Sequence, residues 1–491
     1  MKDIDILIIA EGTYPFVRGG VSSWINQLIN GLSEYTFGIY FIGSRKEDYG
    51  EMKYKLPDNL KFLKISYLFD NKAMPDVKEK KLKNRYFEEI SQIHNFFEMK
   101  DNLKKENFLK IIKEFSLSDF LYSDTSWNFL LEKYEKKYEF ESFIDFFWTI
   151  RNMHMPLWTL FKDLDEMPNA KIVHSPSTGY AGFFAGLLNL KNNTPYILTE
   201  HGIYTRERKI DLLIADWYEN AKSIFLSQEN LLKELWNDFY VSIGRFCYLS
   251  ANEVLSLYNK ARLIQIEYGA PEEKTKVIPN GVNVHKLKEA FEKRDKKIPN
   301  VIGLIGRVVP IKDIKTFIKA IKIVSNEIPD IEGWVVGPTE EDPEYFKECK
   351  SLLEILDLQD NIKFLGFQNI LDIFPKIAIN TLTSISEGMP LSVLEGFAAG
   401  VPAVTTDVGS CEELIYGALN EEDKNLGNAG FVCKVADPKD LAVHYIELLK
   451  DEHMWYKAQK TALQRVNKFY TQEIFLQNYK KLYDRIINGG D

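Results

Sequence analysis

Glu387 and Glu395 stand eight positions apart in the stretch Thr383–Gly400, TSISEGMPLSVLEGFAAG. Two carboxylates at that interval can accept hydrogen bonds from hydroxyl groups at both ends of one ligand. Eight residues of helix would set them about 12 Å apart, at ~1.5 Å rise per residue. That is the length of a sugar nucleotide from its sugar to its ribose. Between them lie Gly388, Met389, Pro390 and Leu391. The backbone N–H groups of Met389, Leu391 and Ser392 would gather at a helix N-terminus, a ready site for a diphosphate. The same spacing fits an ordinary amphipathic helix with two solvated glutamates, and spacing by itself does not separate the two.

Elements of the right kind flank these residues. The apolar run Lys376–Leu382 reads as a buried strand and Pro390–Ala399 as a helix, which puts Glu387 in a strand-to-helix loop. Arg307 and Lys312 follow the strand-like run Val301–Gly306 in GRVVPIKD. Two fixed cations there could bind a diphosphate and offset charge developing on it; a pair of surface cations at a strand end is the plain alternative. Near the start, Ile4–Ala10 reads as a strand, Glu11–Gly20 as a loop and Val21–Leu32 as a helix. Open α/β sheets bind ligands at the carboxyl ends of such strands. Gly19 and Gly20 could bring backbone close to a ligand with no Cβ in the way, or simply form a tight turn ahead of the helix. Arg18 beside them is equally a surface charge. His201 sits at a strand end in TEHG, whereas His174, ending the preceding strand, reads as a satisfied core residue. After another strand, Gly366, Phe367 and Gln368 could present backbone groups to a base edge, and Phe367 could equally serve packing.

The strand–helix rhythm recurs twice. Further strands are expected at Thr36–Ile42, Leu60–Ile65, Ala170–His174, Pro195–Thr199 and Lys276–Ile278. A second series falls at Val301–Ile305, Gly333–Val336, Ile362–Leu365, Ile377–Leu382 and Pro402–Thr405. The division expected is residues 1–280, 281–470 and a C-terminal helix at 471–491, with the charged stretch Lys286–Lys297 as hinge. Residues 70–160 differ in texture. The basic patch Lys78–Arg85 precedes aromatic-rich helical segments such as FESFIDFFWTI, whose stripes read as helix core. At 491 residues the chain exceeds the ~250–300 at which single cores stop growing.

Charge and composition exclude several classes. A net charge of −9 argues against nucleic acid as a partner. Four scattered cysteines with no C-x-x-C pair read as buried free thiols in a reducing compartment. No apolar run approaches the ~20 residues of a membrane span, and the expected location is the cytoplasm. There is no G-x-x-x-x-G-K-[ST] and no G-x-G-x-x-G. No His/Cys/Asp cluster shows metal spacing, so no metal and no cofactor is expected. Asp163-Leu164-Asp165 has a D-x-D spacing but falls in a helix-like surface stretch rather than after a strand, a chance match.

The run E-G-M-P-L-S-V-L-E resembles the E-x7-E signature of family 4 retaining glycosyltransferases of the GT-B fold. The opening EGTYPFVRGGVSSW is similar, more narrowly, to the PelF-type enzymes of exopolysaccharide biosynthesis, which make the Pel polysaccharide of biofilms. The resemblance implies an α/β GT-B architecture: two doubly wound Rossmann-like domains facing a central cleft, a helical insert at 70–160 in the first, and a last helix crossing back onto it. It implies that Arg307 and Lys312 hold the donor phosphates, that Glu387 bonds hydroxyls of the transferred sugar and Glu395 the ribose. It also implies that the Gly19–Gly20 loop approaches the donor phosphates and acceptor, and that His201 lies near the donor sugar. The implied reaction is hexose transfer from a UDP-sugar, UDP-glucose first, to a growing glycan. A membrane-embedded synthase or export complex, at the inner face of the membrane, is the implied partner. A nucleotide-sugar epimerase on the same fold and a non-catalytic nucleotide-binding subunit of a synthase are the alternatives.

Overall fold

The structure, a computed structural model, describes residues 3–70, 86–99, 105–114, 116–210, 212 and 231–489. Its contacts divide the chain into two units. One comprises Met1–Leu255, Leu263–Lys276 and Leu482–Asp491; the other comprises Ser256–Arg262 and Val277–Lys481.

The first unit is built on seven strands: β1 (Ile4–Glu11), β2 (Phe37–Gly43), β3 (Leu60–Tyr67), β4 (Ala170–Ser175), β5 (Tyr196–Glu200), β6 (Glu253–Ser256) and β7 (Thr275–Val277). They lie in the order β3-β2-β1-β4-β5-β6-β7, and the register from β3 through β5 is parallel throughout. A parallel sheet covered by helices on both faces needs strands apolar on both sides, and β1 supplies that: Ile6, Leu7, Ile8, Ile9 and Ala10 are all buried. The chain runs outward from β1 to β3 and then returns to β4 on the other side of β1. The strand order therefore reverses between β1 and β4, which is where such sheets take ligands.

The second unit repeats the plan with β8 (Val301–Ile305), β9 (Glu332–Val336), β10 (Ile362–Gly366), β11 (Ile379–Leu382), β12 (Ala403–Thr406) and β13 (Gly430–Cys433). Their order is β10-β9-β8-β11-β12-β13, all parallel, so the reversal falls between β8 and β11. β6 and β13 escape sequence reading because EVLS and GFVC are too short and mixed to stand out as apolar runs. The helix Gln472–Ile487 is divided between the units. Its last turns sit in the first, where Tyr483 Oη lies 2.7 Å from His174 Nδ1 and Tyr35 Oη donates to Asp484 at 2.6 Å.

Between β3 and β4 the described residues are helical: Tyr86–Phe97, Lys105–Glu114, Leu117–Tyr122, Asp124–Lys133, a π turn at Tyr134–Tyr138, and Phe143–Asp163. The basic run Lys78–Arg85 lies outside the described residues. The aromatic stripes are core only in part. Phe97, Phe120, Phe129 and Phe146 are buried, but Phe140 is 87% exposed and Trp148 50%. Phe140 lies in the turn before the helix; from Phe143 one face packs inward and the other, with Ile144 and Trp148, meets solvent, as a 3.6-residue period requires when apolar residues run all round a helix. Asp163 is also not a surface residue. Its carboxylate accepts from Tyr40 Oη (2.6 Å) and Ser66 Oγ and pairs with Lys64 at 3.2 Å, while Asp165 pairs with Lys191. The two carboxylates of the D-x-D serve separate structural roles. Among the described residues, no helix is long and apolar enough to cross a membrane.

Candidate active site

In the second unit, the loops after β8 and β11 meet at the point of strand reversal. Lys312 follows β8 in a 3-10 turn (Pro310–Lys312), and its Nζ forms an ion pair with Glu387, which follows β11. Ser384 Oγ donates to the same carboxylate at 2.6 Å. The backbone locks the two loops together: Ile385 N–H donates to the Ile311 carbonyl (2.9 Å), and Thr383 Oγ1 donates to the Lys312 carbonyl (2.8 Å). Side chains expected to act on different parts of a ligand are thus partners of one another. Both are half-buried, which strengthens their attraction relative to an exposed pair.

Arg307 stands apart from this pair. It bonds Glu341, and both side chains are about half exposed. Glu387 and Glu395 are not joined by eight helical residues, because the helix begins only at Leu391 (Leu391–Ala398, N-cap Pro390). The turn before it is fixed from below by Gly409, at φ +55°: a Cβ there would lie 2.1 Å from the Gly388 carbonyl oxygen. Ser410 N–H also donates to that oxygen at 2.9 Å. Pro390 offers no capping side chain, and among the described residues the N–H groups of Met389, Leu391 and Ser392 donate to nothing. They are the unpaired donors every helix start leaves. Met389 is buried, its sulfur 3.3 Å from the Asn280 N–H. Glu395 faces no hydrogen-bonding partner among the described residues, and burial pushes its carboxyl up to about 7, with Lys286 opposing. β10 ends at Gly366, in the left-handed region at φ +64°, and Gln368 Nε2 donates to the Leu365 carbonyl at 2.9 Å. Phe367 is 82% exposed, which rules out the packing role considered for it.

At the corresponding point of the first unit, the residues are enclosed and uncharged in tendency. Gly19 precedes the helix Gly20–Gly31 without a side-chain cap, and a Cβ at Gly19 or Gly20 would meet nothing within 4 Å. Among the described residues, nothing requires glycine there. Arg18 is exposed. Trp24, on that helix, lies edge-on to both histidines, 4.9 Å from the ring of His201 and 5.3 Å from that of His174. His174 is fully buried and satisfied on both nitrogens, by Tyr483 and by Thr199 at 2.8 Å. His201 Nε2 is enclosed and has no partner among the described residues. Burial takes both imidazoles down to about 3, with each other's proximity adding to the effect on His174.

Sequence reading missed two acids here. Glu11 is the last residue of β1; its Oε2 accepts from Ala181 N–H (3.0 Å) in the first turn of the helix Gly179–Asn192. Burial raises its carboxyl to about 7, against the pull of that N–H and of Arg208. Glu200 ends β5 and accepts from Tyr248 Oη (2.7 Å), Thr178 Oγ1 (2.9 Å) and Gln265 Nε2 (3.1 Å). Burial raises its carboxyl as well. The available signal was an acid closing an apolar run directly before a glycine-bearing loop, as in AEG and TEHG. Elsewhere, Cys433, Asp440 and His444 converge in space, contrary to the expectation of no metal-like cluster.

Comparison with known proteins gives family matches in both parts of the chain. Residues 4–273 match the family described as "Domain of unknown function (DUF3492)", and residues 286–465 match "Glycosyl transferases group 1". A relative from Campylobacter jejuni is N,N'-diacetylbacillosaminyl-diphospho-undecaprenol alpha-1,3-N-acetylgalactosaminyltransferase. It is 28% identical over 288 residues, 55% of this chain and 70% of its own. The Escherichia coli UDP-Gal:alpha-D-GlcNAc-diphosphoundecaprenol alpha-1,3-galactosyltransferase is 30% identical over 198 residues, 38% of this chain and 48% of its own. Among solved structures, Anabaena Alr3699/HepE in complex with UDP and glucose superposes with a TM-score of 0.58, covering 98% of this chain and 99% of its own at 14% identity. The sucrose-phosphate synthase of Thermosynechococcus elongatus gives 0.59 at 14% identity over 99% of this chain and 100% of its own. Both show the fold: two parallel-sheet Rossmann-like domains of the GT-B kind.

Proposed function

The chain belongs to the DUF3492 family, and its residues 286–465 match the glycosyl transferases group 1; from that premise we propose that it transfers a hexose from a UDP-sugar to a growing exopolysaccharide with retention of anomeric configuration. The observation that carries this reading is the Lys312–Glu387 pair, set where the second sheet reverses and beside a helix start with unpaired N–H donors. A cation and free backbone donors complement a pyrophosphate; a carboxylate complements sugar hydroxyls. When the donor enters, Lys312 turns to the phosphate and Glu387 to the sugar, so the apo ion pair holds both side chains in place for the ligand. Arg307, exposed and loosely held, swings from Glu341 to the phosphates. Glu395 receives the ribose hydroxyls and the Gly366–Gln368 turn the base. The UDP preference is supported by the UDP-Gal named in the Escherichia coli relative and the UDP bound by Alr3699/HepE; glucose follows from the PelF-type resemblance.

In this reading the bond between the sugar's anomeric carbon and the leaving phosphate oxygen breaks. The acceptor hydroxyl attacks from the same face and gives its proton to that departing oxygen. Lys312 and Arg307 supply the charge compensation that a divalent metal supplies elsewhere, and no cofactor enters. Taken by itself, the first unit leaves open space beside Gly19 and Gly20, and its His201 Nε2 is an enclosed polar atom suited to a sugar hydroxyl. The protein works at the cytoplasmic face beside a membrane-embedded export partner; its absence from every membrane fraction on cell lysis would remove that part.

The deciding measurement is calorimetric titration with UDP-, GDP- and ADP-sugars, followed by NMR of the product's anomeric signal. Binding stabilises the folded chain with the logarithm of ligand concentration over Kd, so at equal concentration the UDP series should give the largest thermal shift, and an axial product linkage should follow from an axial donor. Preference for another base, or inversion of the anomeric signal, would overturn the corresponding half. A new epimer from donor alone would identify an epimerase, and binding without turnover a non-catalytic subunit.

A further inference from the structure

Apart from the residues considered for sugar transfer, the edge strand of the second sheet closes on a second chemical site. β13 ends at Cys433, and the helix that follows, Pro438–Lys450, carries Asp440 and His444 one turn apart on one face. A thiol sulfur, a carboxylate oxygen and a ring nitrogen from these three residues all lie within 4.8 Å of one another. Cys433 is buried, while the side chains of Asp440 and His444 are 32% and 23% exposed, so the cluster opens to solvent on one side.

Each side chain is aimed by its surroundings. Asp437 caps the helix, accepting from Lys439 and Asp440 N–H at 3.1 Å, with Pro438 in the first turn. This fixes Asp440 at the helix mouth, where Lys434 N–H donates to its Oδ2 at 2.9 Å. Its other oxygen, Oδ1, is left facing His444. The imidazole is stacked on Phe431 with centroids 4.3 Å apart and planes within 10°, and its Nδ1 lies 2.9 Å from Glu447 Oε2. A carboxylate only accepts, so the neutral ring carries its proton on Nδ1 and turns the lone pair of Nε2 outward. That lone pair faces Asp440 Oδ1 at 3.8 Å, too far for a hydrogen bond. Two electron-pair donors therefore face each other beside a sulfur, an arrangement that a cation between them would satisfy.

We propose that Cys433, Asp440 and His444 bind a divalent transition-metal ion, Zn²⁺ fitting best, with Glu447 orienting His444 from behind and solvent in the fourth position. A mixed sulfur, nitrogen and oxygen set suits zinc and not magnesium or calcium, which take oxygen ligands. Bonds of ~2.0–2.3 Å in a tetrahedron place such donors ~3.3–3.6 Å apart, a modest closure from the separations seen here. The Glu447–His444 contact is the carboxylate–histidine arrangement that fixes ring tautomer at metal sites. The ion would tie the free end of an edge strand to its following helix, two strands along the sheet from β11 and Glu387.

The test uses the full chain, stripped with chelator and dialysed, then titrated with Co²⁺ and Zn²⁺. One equivalent of Co²⁺ should produce tetrahedral visible bands and a near-ultraviolet thiolate-to-cobalt transition, both abolished by Zn²⁺. Cys433→Ser should remove the charge-transfer band, and the buried Cys247, Cys349 and Cys411 should not replace it. Glu447→Gln should weaken binding ~10–100-fold, and His444→Gln at least as much. Should Cys433→Ser fail to fold, His444→Gln at its partly exposed position decides. The proposal is overturned by absence of stoichiometric uptake, by a charge-transfer band that survives Cys433→Ser, or by unchanged affinity in His444→Gln.

Discussion

The two sheets share one strand order and reverse at equivalent points, between β1 and β4 and between β8 and β11, yet they furnish those points oppositely. The second presents a paired cation and carboxylate, Lys312 and Glu387, and a bare helix start. The first presents Glu200 and His174, fully buried, and Glu11 and His201, partly so, with the acids pushed up and the imidazoles pushed down by burial. Burial disfavours whichever form is charged, so the first site tends to neutrality from both directions. A neutral, enclosed site suits uncharged hydroxyls, whereas a charged one suits a pyrophosphate. The fold thus places loops at the reversal point of each sheet, and the side chains on those loops give the two points opposite electrostatic character.

This contrast can be broken most directly at Lys312. Lys312→Ala should cut the transfer rate ~10²–10³-fold, the usual cost of removing one fixed donor from developing charge, with little change in thermal stability. Arg307→Ala, exposed and engaged elsewhere, should cost nearer tenfold. Equal losses in the two, measured as UDP release, would dissolve the distinction between them.

The neutral character of the first unit gives the next largest effects. Glu11 has its pKa raised from 4.5 to about 7, so between those pH values the folded state holds a proton the unfolded chain has lost. Stability should therefore fall as pH rises from 4.5 to 7, by up to about 3 kcal/mol from this group. Glu11→Gln should flatten that part of a melting-temperature profile, and an unchanged slope would count against its enclosure. His201 has the opposite sign. Its pKa drops from 6.5 to about 3, so folding is favoured above 6.5 and loses about 2 kcal/mol on going down to pH 5. His201→Gln should remove that acid sensitivity, read by the same melting profile.

The smallest effect sharpens the comparison most. Gly20→Ala places its Cβ in open space at the start of a helix, so stability should be unchanged or rise by ~0.5–1 kcal/mol. If the loop approaches a ligand, turnover should nonetheless fall. Full activity in a more stable Gly20→Ala protein would place the ligand elsewhere.

Much of this was legible in the chain itself. Apolar runs such as DILIIA and VIGLI, short and rich in β-branched residues, fit strands buried on both faces, and two trains of them fit two parallel sheets. The strand-to-helix loops carrying Lys312, Glu387 and His201 follow from that periodicity, because a residue just past a strand must lie at its carboxyl end. Short elements such as β6 and β13 were not legible, since four mixed residues carry no period.

Pairing between distant positions belongs to the tertiary structure alone. That Lys312 meets Glu387 across 75 positions, that Trp24 wedges against both histidines, and that Cys433 converges with Asp440 and His444 depends on crossover connections whose lengths the sequence does not encode as contacts. The partners of each acid were decided there too. Glu11, which closes β1, and Glu387, which lies past β11, are the same residue type beside a point of strand reversal, and they meet different partners, a helix N–H and a lysine. Local sequence sets what a segment can become; desolvation and partners, which exist only after folding, set what its side chains do.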